Sequence, residues 1–125
     1  MLQIVQPYDQ TPIAGIETDD AAALERKLRT ARDLFANRDR WLKPHERVAV
    51  LRRLAELMEG RREHFAMQIA REGGKPLADA RIEAVRAIDG VRNAADELRT
   101  FSGREIPMGL SPASDDRWAF TTREP

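Results

Sequence analysis

The sequence predicts a mainly α chain, with about four helices and short β-strands at both ends. Apolar residues recur at spacings of three and four through most of residues 18–102, the repeat of a helix with one packed face. Glycine and proline stand where those repeats stop. Residues 1–17 and 103–125 lack the repeat and carry short runs of β-formers between turn residues.

In the first 17 residues, Gln3-Ile4-Val5 and Pro12-Ile13-Ala14 flank the turn formers Pro7-Tyr8-Asp9-Gln10-Thr11, which predicts a hairpin. Two strands are marginal in water, so this hairpin is expected to rest on another part of the fold. Helix one is expected to start at Asp19 or Asp20, where an acid caps free N–H groups at the positive end of the helix dipole. Leu24, Leu28, Ala31, Leu34 and Phe35 then share a face, and Glu25 and Arg29 stand four apart in the favourable order for a pair. Helix two is expected from Pro44, because proline has no N–H to leave unpaired in a first turn. Glu46 is placed to reach back to the cap. Its stripe is Val48, Leu51, Leu54, Ala55 and Met58; Val50 and Leu57 widen it and imply a second neighbour.

Gly60 marks a break. Helix three is expected from about Arg61 to Glu72, with Phe65, Ile69 and Ala70 inward, and Gly73-Gly74 ends it. Pro76 opens helix four, expected from about Leu77 to Phe101. Its inward residues are expected to be Ile82, Val85, Ile88, Val91, Ala95 and Leu98, with a second face of small residues at Ala78, Ala84, Ala87 and Ala94. Beyond Gly103, Arg104 to Met108 reads as extended, Gly109 to Asp116 as a loop and Arg117 to Arg123 as a strand. A strand with no partner after it leaves an open edge, a sign of truncation.

Lys+Arg and Asp+Glu are both 21, so no broad electrostatic footprint for nucleic acid or an anionic membrane is expected. The arginines alternate with acids, as solvated helix faces do. There is no cysteine, hence no disulfide, thiolate metal site or thiol nucleophile. His45 and His64 are too far apart for a close-spaced zinc pattern and are expected to be exposed. The first residues do not resemble a secretion signal, no apolar run approaches the ~20 residues of a membrane span, and a soluble cytoplasmic protein is the expectation. Gly73-Gly74 follows a helix and not a strand, so it lacks the setting of a dinucleotide-binding loop. No catalytic, cofactor-binding or metal-binding residue emerges from these patterns.

The order of several motifs adds to this. Pro7-Tyr8-Asp9 with Ile13-Ala14, Trp41-Leu42, Pro44-His45-Glu46-Arg47, Leu51-Arg52-Arg53-Leu54-Ala55, Glu72-Gly73-Gly74-Lys75-Pro76-Leu77, Gly103 with Ile106-Pro107, and Arg123-Glu124-Pro125 follow one another along the chain. In order and spacing they resemble the N-terminal region of the aldehyde dehydrogenase superfamily over almost the whole length. The first turn departs from the family, with Gln10-Thr11-Pro12 where a glycine is usual. Ala80-Arg81-Ile82-Glu83-Ala84-Val85-Arg86 resembles the branch acting on lactaldehyde, phosphonoacetaldehyde or glyceraldehyde 3-phosphate without phosphorylation.

The resemblance implies the N-terminal portion of an α/β enzyme that oxidises an aldehyde to a carboxylic acid. In that family a cysteine attacks the aldehyde, hydride passes to NAD or NADP, and a glutamate activates water. Splitting the oxidation at a covalent intermediate makes each step easier. The asparagine, lysine, glutamate and cysteine that do this lie beyond Pro125 in the family, so the segment alone is expected to be inactive and to bind no cofactor. Residues 103–125 are implied to join an oligomerisation sheet of a dimer or tetramer, and the rest of the subunit is the implied partner of the helices. Arg86 corresponds to a branch position near the substrate mouth, where a guanidinium matches a phosphate, phosphonate or carboxylate; the plain alternative is an ordinary surface arginine. A stand-alone helical interaction module and a degenerate, non-catalytic family remnant remain as other readings of the whole chain.

Overall fold

The structure, a computed structural model, describes residues 1–123; the Glu124-Pro125 end of the last motif lies outside the described residues. Strands β1 (Leu2–Val5) and β2 (Pro12–Ile16) pair antiparallel, with Leu2 opposite Ile16, Ile4 opposite Ala14 and a register shift after Ile4. Their turn is closed by the Gln6 N–H donating to the Thr11 carbonyl at 2.9 Å and the Thr11 N–H donating to the Asp9 carboxylate at 3.0 Å. Those donors from Thr11 hold the Asp9 carboxyl below its ordinary value. The expected support for the hairpin is the turn after helix three. A Cβ added at Gly74 would lie 3.2 Å from the Pro7 Cβ.

Helix α1 (Ala21–Ala36) starts as expected: the Asp20 carboxylate accepts the Ala23 N–H at 2.6 Å. The Glu25–Arg29 pair does not form among the described residues; Lys27 pairs instead with Asp19 at 2.5 Å. None of α1 is buried, and Leu24, Leu28, Leu34 and Phe35 stay exposed. The helix is tied at its C-terminal end. After a 3₁₀ turn at Arg38–Arg40, the Trp41 indole N–H donates to the Leu34 carbonyl at 3.0 Å and its ring lies 5.7 Å from that of Phe35.

The core lies among α2 (Pro44–Glu59), α3 (Arg62–Gly73) and α4 (Leu77–Glu97), with α4 packed against both others. Glu46 reaches back as expected, accepting the Lys43 N–H at 2.6 Å; the lysine side chain has no acceptor to complete the exchange. Val48, Leu51, Ala55 and Met58 form the packed stripe of α2. Leu54, Val50 and Leu57 lie outside it, exposed; α2 packs on α4 and also touches α3, so it has two neighbours as expected.

Helix α4 differs most from expectation. Ile82 and Val85 are 52% and 41% exposed, not inward. The packed face runs through Leu77, Ala80, Ala84, Ile88, Val91, Ala95 and Leu98, again at spacings of three and four. The reason is close approach. Ala66 of α3 is wholly buried against Ala80 and Ala84, with Phe65, Ile69, Ala70 and Leu77 around them, and larger side chains at 80 and 84 would hold the helices apart. Ala84 is thus a core residue, while Ala78, Ala87 and Ala94 of the expected small-residue face are exposed. Arg81 closes the α3–α4 seam as a fork on Glu63, with Nε 3.1 Å from both carboxylate oxygens and a terminal nitrogen 2.6 Å from one. Arg92 reaches Glu59 at the end of α2, 3.2 Å away. The helix ends at Glu97 and not Phe101, because the N–H groups of Arg99 and Thr100 bond three residues back and tighten the last turn.

Strands β3 (Glu105–Ile106) and β4 (Ala119–Phe120) are shorter than the expected runs and pair antiparallel. The partner of β4 thus comes from earlier in the chain. The pair is a ladder of two strands, with Trp118 89% and Phe120 72% exposed beside it. No helix among the described residues is long and apolar enough to cross a membrane.

Candidate functional site

Arg86 lies on the outer side of α4, one residue beyond the exposed Val85. It lines a shallow recess of about 430 Å³ with Lys75, Asp79, Ile82 and Glu83. Local sequence builds this recess. Gly74 takes a left-handed φ of 66° to end α3 and its N–H donates to the Ala70 carbonyl at 3.0 Å. Pro76 is extended at φ −54°, ψ 137°, so α4 starts anew at Leu77. Lys75, in that turn, then falls beside residues one and two helical turns up α4.

Within the recess the charges are unequal in their bonding. The Lys75 ammonium is paired with the Glu83 carboxylate. The Arg86 guanidinium has no hydrogen bond or ion pair among the described residues. A fork of N–H donors without an acceptor, in a recess that exposed Ile82 also lines, suits an anionic group attached to an apolar or small organic body. Asp79, in the same recess, disfavours anions that approach from its side.

Lys75 and Asp79 are members of the recess that sequence reasoning did not single out, Lys75 having entered only within the Glu72 to Leu77 motif. The offset of Asp79 from Arg86, seven, is close to two helical turns and carried the signal; Lys75 lies before α4, where helical spacing gives none. His45 and His64 are exposed, as expected. No group of three or more His, Cys, Asp or Glu side chains is placed to hold a metal among the described residues. Gly73 is the last residue of α3 and Gly74 caps it, against Pro7.

These features define a helical lobe between two small antiparallel hairpins, with a recess of mixed charge on its longest helix and much of its apolar surface open. The chain belongs to the aldehyde dehydrogenase family, whose model matches residues 1–125. It is 31% identical to the 3-sulfolactaldehyde dehydrogenase of Priestia megaterium, over 99% of this chain and 25% of that protein. Among solved structures it is similar to the glyceraldehyde-3-phosphate dehydrogenase of Methanocaldococcus jannaschii complexed with NADP, at a TM-score of 0.85 and 27% identity, covering 100% of this chain and 26% of that one. It is also similar to aldehyde dehydrogenase 21 of Physcomitrella patens in complex with the product succinate, at a TM-score of 0.82 and 26% identity, covering 91% and 24%. The chain spans about a quarter of the length of the curated relatives it matches. The fold is therefore the N-terminal portion of the aldehyde dehydrogenase fold, and its likeness includes the lactaldehyde and glyceraldehyde-3-phosphate branch.

Proposed function

We propose that this chain is the N-terminal part of an NAD(P)-dependent dehydrogenase that oxidises an anionic aldehyde to the carboxylic acid, and that Arg86 holds the substrate's anionic group. The observation that carries this reading is the unpaired Arg86 guanidinium in an exposed recess on α4. The relatives support the substrate class by what their names state: a sulfonated aldehyde, a phosphorylated aldehyde and a dicarboxylate product.

In this reading the segment supplies position, not bond-making. The family resemblance assigns the nucleotide, the nucleophile and the base to other residues of the enzyme. Residues 1–17 serve as a hairpin brace, 18–102 as a helical layer against the rest of the subunit, and 103–125 as strands of an oligomerisation sheet. The exposed Trp118 and Phe120 beside an open ladder suit that last role.

The test is Arg86→Ala in the intact enzyme. The expected result is a fall of about tenfold to a hundredfold in kcat/KM for sulfonated, phosphorylated or carboxylated aldehydes, the range for losing a charge-assisted fork, with neutral aldehydes unchanged. An equal effect on charged and neutral aldehydes, or none, contradicts the assignment.

A further inference from the structure

The Arg86 recess holds two cations and two acids, Lys75 and Arg86 with Asp79 and Glu83. All four lie within residues 75–86, well inside the chain. Their charges therefore bear on a bound head group whatever other part of the subunit borders the recess. Glu83 stands three residues before Arg86, a spacing at which a carboxylate and a guanidinium pair readily on a helix. It bonds the Lys75 ammonium instead. The turn before α4 explains this choice. Gly74 at φ 66° and the extended Pro76 leave Lys75 outside the helix, where its long side chain reaches the second turn of α4. Both members of the pair are half exposed. The Asp79 carboxylate, in the first turn of α4, makes no ion pair among the described residues.

With Lys75 neutralised by Glu83, Arg86 is the cation of these four residues that meets a ligand, and Asp79 stands against it. One negative charge on the ligand satisfies the Arg86 fork. A second finds no free cation among these side chains, and Asp79 and Glu83 repel it. Charges that line one recess act at distances where salt screens only in part. A sulfonate or carboxylate carries one charge at neutral and higher pH, whereas a phosphate or phosphonate approaches two. The bland role for the Lys75–Glu83 pair is a tie between the turn and the helix. Loss of such a tie would affect all substrates alike, which separates the two roles by experiment.

We propose that Asp79 and Glu83 make this recess select a singly charged head group, a sulfonate or carboxylate, over a doubly charged phosphate or phosphonate. This rests on the reading of Arg86 as the substrate's anion contact. The test uses the intact enzyme at about pH 8.5, where a phosphonate is close to doubly charged. The probes are sulfoacetaldehyde and phosphonoacetaldehyde, which share a two-carbon aldehyde and differ in head-group charge, with neutral propanal beside them. The readout is the ratio of kcat/KM for phosphonoacetaldehyde to that for sulfoacetaldehyde, which a general loss of activity leaves unmoved. Glu83→Gln is expected to raise this ratio about fivefold, the upper scale of one half-exposed charge pair, and Asp79→Asn to raise it in the same direction. Glu83→Asp is expected to keep the wild-type ratio. Lys75→Gln combined with Glu83→Gln is expected to return it to the wild-type value, since one neutral pair then replaces another. No rise in Glu83→Gln, no rise in Asp79→Asn, or a double variant that keeps the full gain overturns the proposal. Arg86→Ala separates this from the reading beneath it. If that variant keeps the wild-type ratio of sulfoacetaldehyde to propanal, the Arg86 contact fails and the proposal fails with it. If that ratio falls while the acid variants leave the other unmoved, only the role of the acids is overturned. Asp79→Asn reads the same ratio, so the proposal stands or falls even where Glu83→Gln does not fold.

Discussion

At Gly74 the backbone has φ 66° and a Cβ would press on Pro7 at 3.2 Å. Gly74→Ala is therefore expected to cost about 1–2 kcal/mol from the left-handed backbone alone, plus whatever Pro7 must yield, read as a lower midpoint in urea. The sequence showed that glycine ends α3; the contact with the first hairpin was not legible, because Pro7 and Gly74 stand 67 positions apart in the chain. Glu63 gives a pH prediction. Its hydrogen bonds from Arg81, with attraction to Arg81 and Arg62, hold its carboxyl below the ordinary 4.5. The folded chain therefore favours the carboxylate, and the unfolded chain takes up the proton first. The stability this adds is present above the ordinary value and is lost as pH falls through the lower folded one. Glu63→Gln is expected to flatten that acid limb of the denaturation midpoint while leaving its neutral plateau nearly unchanged, since both partners are half exposed. Arg81, raised by the same fork, stays charged across the whole range. An acid limb identical in Glu63→Gln counts against the fork.

At the scale of elements, α4 separates what spacing reveals from what it hides. Its existence was legible because apolar residues recur every three or four positions. Its phase was not, because two faces both meet that rule, one with Ile82 and Val85 and one with Ala80 and Ala84. The choice is made by Ala66 on another helix, which only small residues admit. Ile88 lies on both candidate faces and is 1% exposed, whereas Ile82 is 52% exposed. Ile88→Ala is expected to cost about 2–5 kcal/mol and Ile82→Ala within about 0.5 kcal/mol in denaturant unfolding of the chain; equal costs would put the wrong face inside. The strands illustrate a different limit. Composition marked 104–108 and 117–123 as extended, but the ladder reaches only Glu105–Ile106 and Ala119–Phe120. Pairing length depends on the facing segment, here held close by Gly103, and no local pattern encodes that.

For the whole molecule, the core is compact among α2, α3 and α4, while α1 leaves Leu24, Leu28 and Phe35 about half exposed. Hydrogen exchange is expected to be slowest in α4 and far faster in α1, whose opening uncovers almost no buried apolar surface. Comparable protection in α1 and α4 would mean that the first helix has a partner within this chain. The Arg86 recess was partly legible, through one arginine and a family pattern.

The reading of this chain as a positioning lobe, with the bond-making groups elsewhere in the enzyme, is tested most directly by turnover of the pure 125-residue chain. Given an anionic aldehyde and NAD or NADP, it is expected to form no reduced nicotinamide above the rate without protein, while the intact enzyme does. Steady, protein-dependent formation of reduced nicotinamide by the 125-residue chain alone would contradict the account.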